Sequence, residues 1–184
     1  MADSKVAYRY ASSLLDTALE NNTLDKVDKD LKLLIESFDK SGELKRAVES
    51  PVIKSGLKIS ILKEIFSKKM DKETIKFIQF VVDKNREDTL YAIAEKFIDL
   101  RNDHLGIVEL NVKTAFKFNE DQKQEVKTRF EKILKKTVNL NVIVDNSLVG
   151  GFIAKVGDTV YDASLKHQLE LLKKEFAQGS LSLN

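Results

Sequence analysis

"RNDHLGIVELNVKTA", Arg101 to Ala115, is where the chain changes its period. Upstream of it apolar residues recur about every 3.6 positions, the spacing of an α-helix with one buried face. Downstream, Val108, Leu110, Val112 and Thr114 alternate with Glu109, Asn111 and Lys113, the two-residue period of a half-buried strand. His104 stands in the last helical turn and Gly106 just past it, a pattern that ends helices. The spacing therefore predicts an α+β chain: an N-terminal six-helix bundle, residues 1–105, and a small α/β C-terminal domain with a short β-sheet, residues 106–184, joined by a short hinge.

Working back from Arg101, a sixth helix runs from about Asp88 to Asp103, and Asp71 caps a fifth, "KETIKFIQFVVDK". Shorter helices are expected at Glu43 to Glu49 and, past the sole proline Pro51, at about Ser55 to Phe66. Thr23 is placed to cap a second helix with Val27, Leu31, Leu34, Ile35 and Phe38 inward. The first, near Ser4 to Asn21, is unusually rich in Tyr and small Ala. Forward from Ala115, Asn119 caps "EDQKQEVKTRFEKILKKT" over an apolar stripe of Val126, Phe130, Ile133 and Leu134. Strand periodicity returns in "VNLNVIVD" and "LVGGFIAKVGDTVYD", Ser164 caps a last helix, and the expected order is βαββα. The tail "QGSLSLN" is read as loose.

Composition narrows the function classes. Of 184 residues, 42% are hydrophobic and 33% charged, which describes a chain that folds in water; no apolar run reaches the roughly 20 residues of a membrane span. The start "MADSKVAYRYASSLLD" lacks the basic segment of a secretory signal, which points to the cytoplasm of a bacterium. Zero cysteines exclude disulfides and thiolate chemistry. The 31 basic and 29 acidic residues are mixed throughout, 19 against 19 up to Leu105, so no electrostatic footprint for nucleic acid emerges.

The glycines of "LVGGFIAKVGDTVYD" do not match a nucleotide cradle. Gly150 and Gly151 lead into a strand, Gly157 starts a turn, and no Lys-Ser or Lys-Thr follows. "VGDTV" reads as a hairpin with Gly157 and Asp158 at turn positions of unusual backbone angles, and Gly150-Gly151 as a bulge or a close strand approach. Asp145, Asp158, Asp162 and Glu170 have no spacing that forces two carboxylates together, and Asp162, two residues before Ser164, belongs to the turn into the last helix. His104 and His167 fall in different domains and make no metal cluster. No catalytic residue, cofactor site or metal ligand is assigned. Two alternatives remain for comparison: a two-domain nucleic-acid-binding protein, suggested by a pI near 8.6, and a small hydrolase using Asp158 and Asp162.

Excess apolar surface is the positive signal. At about 100° per residue, Ile75, Phe77, Ile78, Phe80, Val81 and Val82 spread over roughly 220° of the fifth helix, against the 100° stripe one core face needs. The first helix is similarly broad, with Tyr8, Tyr10, Ala11, Leu14, Leu15 and Leu19. Either both helices are buried on two sides, or they share a groove that receives a partner helix.

"VDNSLVGGFIAKVGDTVYDASLKHQLELL" resembles the signature of the delta subunit family of F-type ATP synthase, which includes the mitochondrial oligomycin-sensitivity-conferring protein. The likeness is carried by Val144-Asp145, Leu148, Gly150-Gly151, Gly157-Asp158, Asp162, Ser164, Leu169 and Leu172, by Tyr10-Ala11 in the opening helix, and by "VELNVKTA". Asn146 departs from the proline common in the family, and a basic residue common near Gln168 is missing. The resemblance implies a non-catalytic stator of a proton-translocating ATP synthase, peripheral on the cytoplasmic face of the bacterial inner membrane and monomeric when isolated. Its N-terminal bundle is expected to bind the N-terminal helix of an alpha subunit, and its C-terminal domain the C-terminal region of the b-subunit stalk. Carried over by position, the partner-binding residues are Tyr10, Ala11, Ser13, Val27 and Val81, with Leu14 and Phe80 added from the same helix faces. Gly150, Gly151, Gly157, Asp158 and Asp162 are then scaffold. On this reading Val81→Asp weakens partner binding and leaves the bundle folded.

Overall fold

The computed structural model describes residues 2–179. The chain divides into two compact units, Met1–His104 and Leu105–Asn184.

The first unit is helical: α1 (Ala2–Glu20), α2 (Leu24–Lys40), α3 (Gly42–Glu49), α4 (Ser55–Phe66), α5 (Lys72–Asp83), a 3-10 turn (Glu87–Thr89) and α6 (Leu90–Leu105). Each helix turns one stripe inward. α1 buries Ala7, Ala11, Leu14, Leu15 and Ala18, and α2 buries Val27, Leu31, Leu34 and Phe38, both at helical spacing. Asp71 caps α5 as expected, its carboxylate accepting from Glu73 N–H at 2.9 Å. Thr23 does not cap α2: it holds the N-cap position, but its side chain makes no capping bond, and the first turn is closed by its backbone carbonyl alone. α1 and α5 are followed by Asn22 and Asn85 with φ of 54° and 53°, left-handed residues that Asn tolerates better than most. α4 carries a feature that periodicity does not reveal. Lys58 is fully buried, and its Nζ donates to Glu87 Oε1 on the 3-10 turn, so an ion pair ties two elements inside the core.

The second unit orders its elements as β1 (Ile107–Thr114), α7 (Glu120–Leu134), β2 (Thr137–Val144), β3 (Gly151–Val156), β4 (Thr159–Ser164) and α8 (Leu165–Gly179). The expected βαββα becomes βαβββα, because the run after Leu148 folds back on itself at Gly157-Asp158. The strands form one mixed sheet, β2-β1-β3-β4, with β1 parallel to β2 and antiparallel to β3. Asn119 caps α7 in a reciprocal box with Gln122, the two bonds measuring 2.8 and 2.9 Å. Leu110, Val112, Phe118, Phe130, Val138 and Ala154 make the core, so the inward face of β1 is the one its alternation predicted. α8 includes Gln178 and Gly179, read from sequence as part of a loose tail; Ser180 to Asn184 lie outside the described residues.

Candidate functional site

Two surfaces carry the apolar excess, one in each unit.

In the first unit α1 and α5 flank a cavity of about 250 Å³, lined among others by Ser13, Leu14 and Thr17 of α1, Val27 of α2, and Thr74 and Phe77 of α5. Beside it the Tyr10 and Phe80 rings stand 6.2 Å apart at 54°, within the range of favourable aromatic pairs. Phe80 is 49% exposed, and Lys84 Nζ lies 5.5 Å from its ring centroid, at the edge of cation–π range. The ridge is apolar at its centre and charged at one rim, and it offers aromatic surface at little rotamer cost.

The seven residues expected to bind a partner fall into three groups. Tyr10, Ser13 and Phe80 present surface; Leu14 and Val27 are buried but line the cavity; Ala11 and Val81 are enclosed, each 0% exposed. Val81 cannot touch a partner on this face, because Thr74, Ile78, Val81 and Val82 form the inward stripe of α5. The wide apolar arc thus has two parts: an inward side that completes the core, and an outward side of Phe80 with half-buried Ile75 and Phe77. Val81→Asp therefore reports on folding, not on binding.

In the second unit the glycine-rich stretch is scaffold with a specific geometry. Gly151 has φ 76°, and a Cβ there would strike the Ala163 carbonyl, so glycine is required twice over. The Gly150 carbonyl accepts from Leu165 N–H at 3.0 Å, tying the start of β3 to the first residue of α8. Gly157 has φ 53° in a two-residue turn whose other residue, Asp158, is not left-handed. That is the pattern of a II′ hairpin, and it corrects the expectation of two unusual residues to one. Asp162 accepts from Ser164 N–H at 2.9 Å, and Ser164 Oγ accepts from His167 N–H at 3.2 Å, which caps α8. These bonds from Ser164, aided by nearby His167, hold the Asp162 carboxyl below the ordinary carboxylate range. Asp145 is lowered likewise by the Ser147 hydroxyl and N–H. Both carboxylates thus serve turns, and Asp162 is committed to Ser164 rather than poised over a pocket. Among the described residues no three His, Asp or Glu side chains gather as a metal site, and no helix is long and apolar enough to cross a membrane.

The surface that periodicity alone undersold is α8. Leu165, Leu169, Leu172 and Phe176 form a stripe at spacings of four, three and four and are all exposed, Leu169 at 58% and Phe176 at 71%. That heptad spacing was present in "SLKHQLELLKKEF" and is the signal for a helix that expects another helix.

Two small units, each with an exposed apolar surface, and carboxylates engaged in turns are, among the described residues, the features of an interaction and assembly protein rather than of a catalytic pocket. The ATP synthase delta (OSCP) subunit family matches residues 6–176, and the chain belongs to that family. It is 36% identical over 173 residues to ATP synthase subunit delta of Chlorobaculum tepidum, covering 94% of this chain and 96% of that one. The delta subunit of Salinibacter ruber is 33% identical over 184 residues, covering 100% and 97%. In fold the chain is similar to a chain in the cryo-EM structure of the Toxoplasma gondii mitochondrial ATP synthase hexamer, with TM-score 0.70, 22% identity, and 93% and 97% of the two chains covered. The protein is accordingly a peripheral-stalk subunit of an F-type ATP synthase. Nothing in these relatives supports the nucleic-acid alternative.

Proposed function

We propose that this subunit acts as a stator without an active site of its own, holding the catalytic head against rotor torque by gripping one partner with each unit. The N-terminal unit, residues 1–105 read as a six-helix bundle, receives the N-terminal helix of an alpha subunit between α1 and α5. The C-terminal unit, residues 106–184, engages the C-terminal region of the b subunits, with the α8 stripe as its helix-docking face. The protein is monomeric when isolated and reaches the cytoplasmic face of the bacterial inner membrane only through the complex. The observation that carries the reading is the half-exposed Tyr10–Phe80 pair beside a cavity lined by Leu14, Ala18, Val27 and Phe77 among polar residues. Such a groove holds a helix by desolvation and gives a slow off-rate without chemistry.

Calorimetry with a synthetic peptide of the alpha N-terminal segment tests it. One-to-one binding with a negative heat-capacity change and little salt dependence is expected. Phe80→Ala, on the surface, should weaken it by about 1–2 kcal/mol with the helical fold intact. Absence of binding, or a Phe80→Ala affinity equal to the parent's, removes the groove assignment.

A further inference from the structure

Four strands leave the sheet with two edges, β2 and β4, and the two are treated differently. β4 is six residues long and carries Asp162 in mid-strand, a charge of the kind that discourages edge pairing. β2 is eight residues long, "TVNLNVIV", with no charge and no proline.

Its backbone direction is fixed by the pairing with β1. Thr137 N–H donates to the Gly106 carbonyl at 3.1 Å and Asp145 N–H to the Thr114 carbonyl at 2.8 Å. In a parallel pair the direction alternates along the strand, so the odd-numbered residues face β1 and Val138, Leu140, Val142 and Val144 face outward. Val138 is guarded, its N–H donating to Glu131 Oε1 at 3.2 Å. Among the described residues the guard stops there. Leu140, Val142 and Val144 are apolar, lie on the α7 side of the sheet, and include the 47% exposed Val144, so a strand laid along them would extend both the ladder and the core. Exposed Lys135 and Lys136 stand at the N-terminal end of this edge, and Asp145 at the other.

We infer that the outer edge of β2 takes an extended segment of a partner polypeptide as a fifth strand, antiparallel to β2. The segment is uncharged and β-prone along Leu140 to Val144, basic or amino-terminal near Asp145, and acidic or carboxy-terminal near Lys135 and Lys136. Charge at the two ends selects antiparallel over parallel, because a parallel segment brings its amino end to the lysines. This edge is separate from the α1/α5 groove and from the α8 stripe.

The test uses the full chain, ¹⁵N-labelled, with the probe peptide acetyl-Lys-Val-Thr-Val-Thr-Val-Glu bearing a free carboxylate. At millimolar peptide, exchange of the Leu140, Val142 and Val144 amides slows at least about tenfold while Asn139, Asn141 and Ile143 do not change. The charge-reversed peptide, acetyl-Glu-Val-Thr-Val-Thr-Val-Lys-amide, binds at least about tenfold more weakly at low salt. Val142→Pro removes an outward donor without touching the β1 ladder, so it abolishes the protection while the odd-numbered amides stay slow. The inference is overturned if the even-numbered amides are not slowed, if Val142→Pro is protected as well as the parent, if the two peptides bind equally, or if protection appears on concentrating the protein alone, which would make the occupant a second copy.

Discussion

The two units solve the same problem, burying apolar surface in about a hundred residues or fewer, to different degrees. Among the described residues twenty buried apolar side chains fill the first unit, against six in the second. Every helix from α1 to α6 turns its main stripe inward and leaves out scattered residues such as Phe80 and Leu57. α8, by contrast, has its whole stripe outside. The first unit thus closes most of its apolar surface within its own helices, whereas the second leaves a full helical stripe open to solvent. On the function proposed above, one grip would be preformed and the other stabilised by its own load.

The comparison can be broken most severely in the first core. Val81→Asp buries an unpaired carboxylate at a position with no exposure and should cost about 4–5 kcal/mol or more, unfolding the first unit while the signals of β1 to β4 persist in a urea titration. A folded Val81→Asp protein with impaired binding would restore the sequence-based view and refute the inward placement of Val81. Next comes the buried pair. Glu87→Ala leaves the Lys58 ammonium enclosed without its partner and should cost about 3–5 kcal/mol, whereas the double change Lys58→Met with Glu87→Leu should recover most of that loss. In the second unit Gly151→Ala combines a left-handed φ with a clash against the Ala163 carbonyl, and should cost about 2–4 kcal/mol. Gly150→Ala meets only the Leu165 side chain, which is half exposed and can move, so its loss should be clearly smaller. Equal melts for the two alanine variants would contradict the account of the glycine pair.

How much of this the chain disclosed in advance depends on what kind of signal each feature leaves. Periods were legible: the change at Gly106, the inward faces of α2 and β1, and the caps at Asp71 and Asn119 follow from local spacing and short-range bonds. Features set by a distant partner were not. Nothing in the local spacing marks Lys58 as buried, because its partner Glu87 is twenty-nine positions away, and Val81 reads as groove because a helical wheel shows how wide an apolar arc is but not which part faces the core. Thr23 stands where a cap belongs, yet side-chain rotation decides whether the bond forms. Of the seven expected contact residues, Tyr10, Ser13 and Phe80 have accessible surface because they sit one step around the helix from the buried stripe.

The smallest effect sharpens the contrast by acidity. Hydrogen bonds from Ser164 lower the Asp162 carboxyl, and those from Ser147 lower Asp145, both in the second unit. A carboxyl with a depressed folded pKa binds fewer protons folded than unfolded. Its stabilising contribution is therefore complete above the ordinary value near 3.9, and it drains away as pH falls through the lower folded value. The second unit should lose stability below about pH 4 through these two turns. Asp162→Asn keeps an acceptor for Ser164 N–H but removes the charge, so Asp162→Asn combined with Asp145→Asn should flatten that acid slope, followed by the amide signals of β3 and β4. If the slope is unchanged in the double variant, the two turns are not its source.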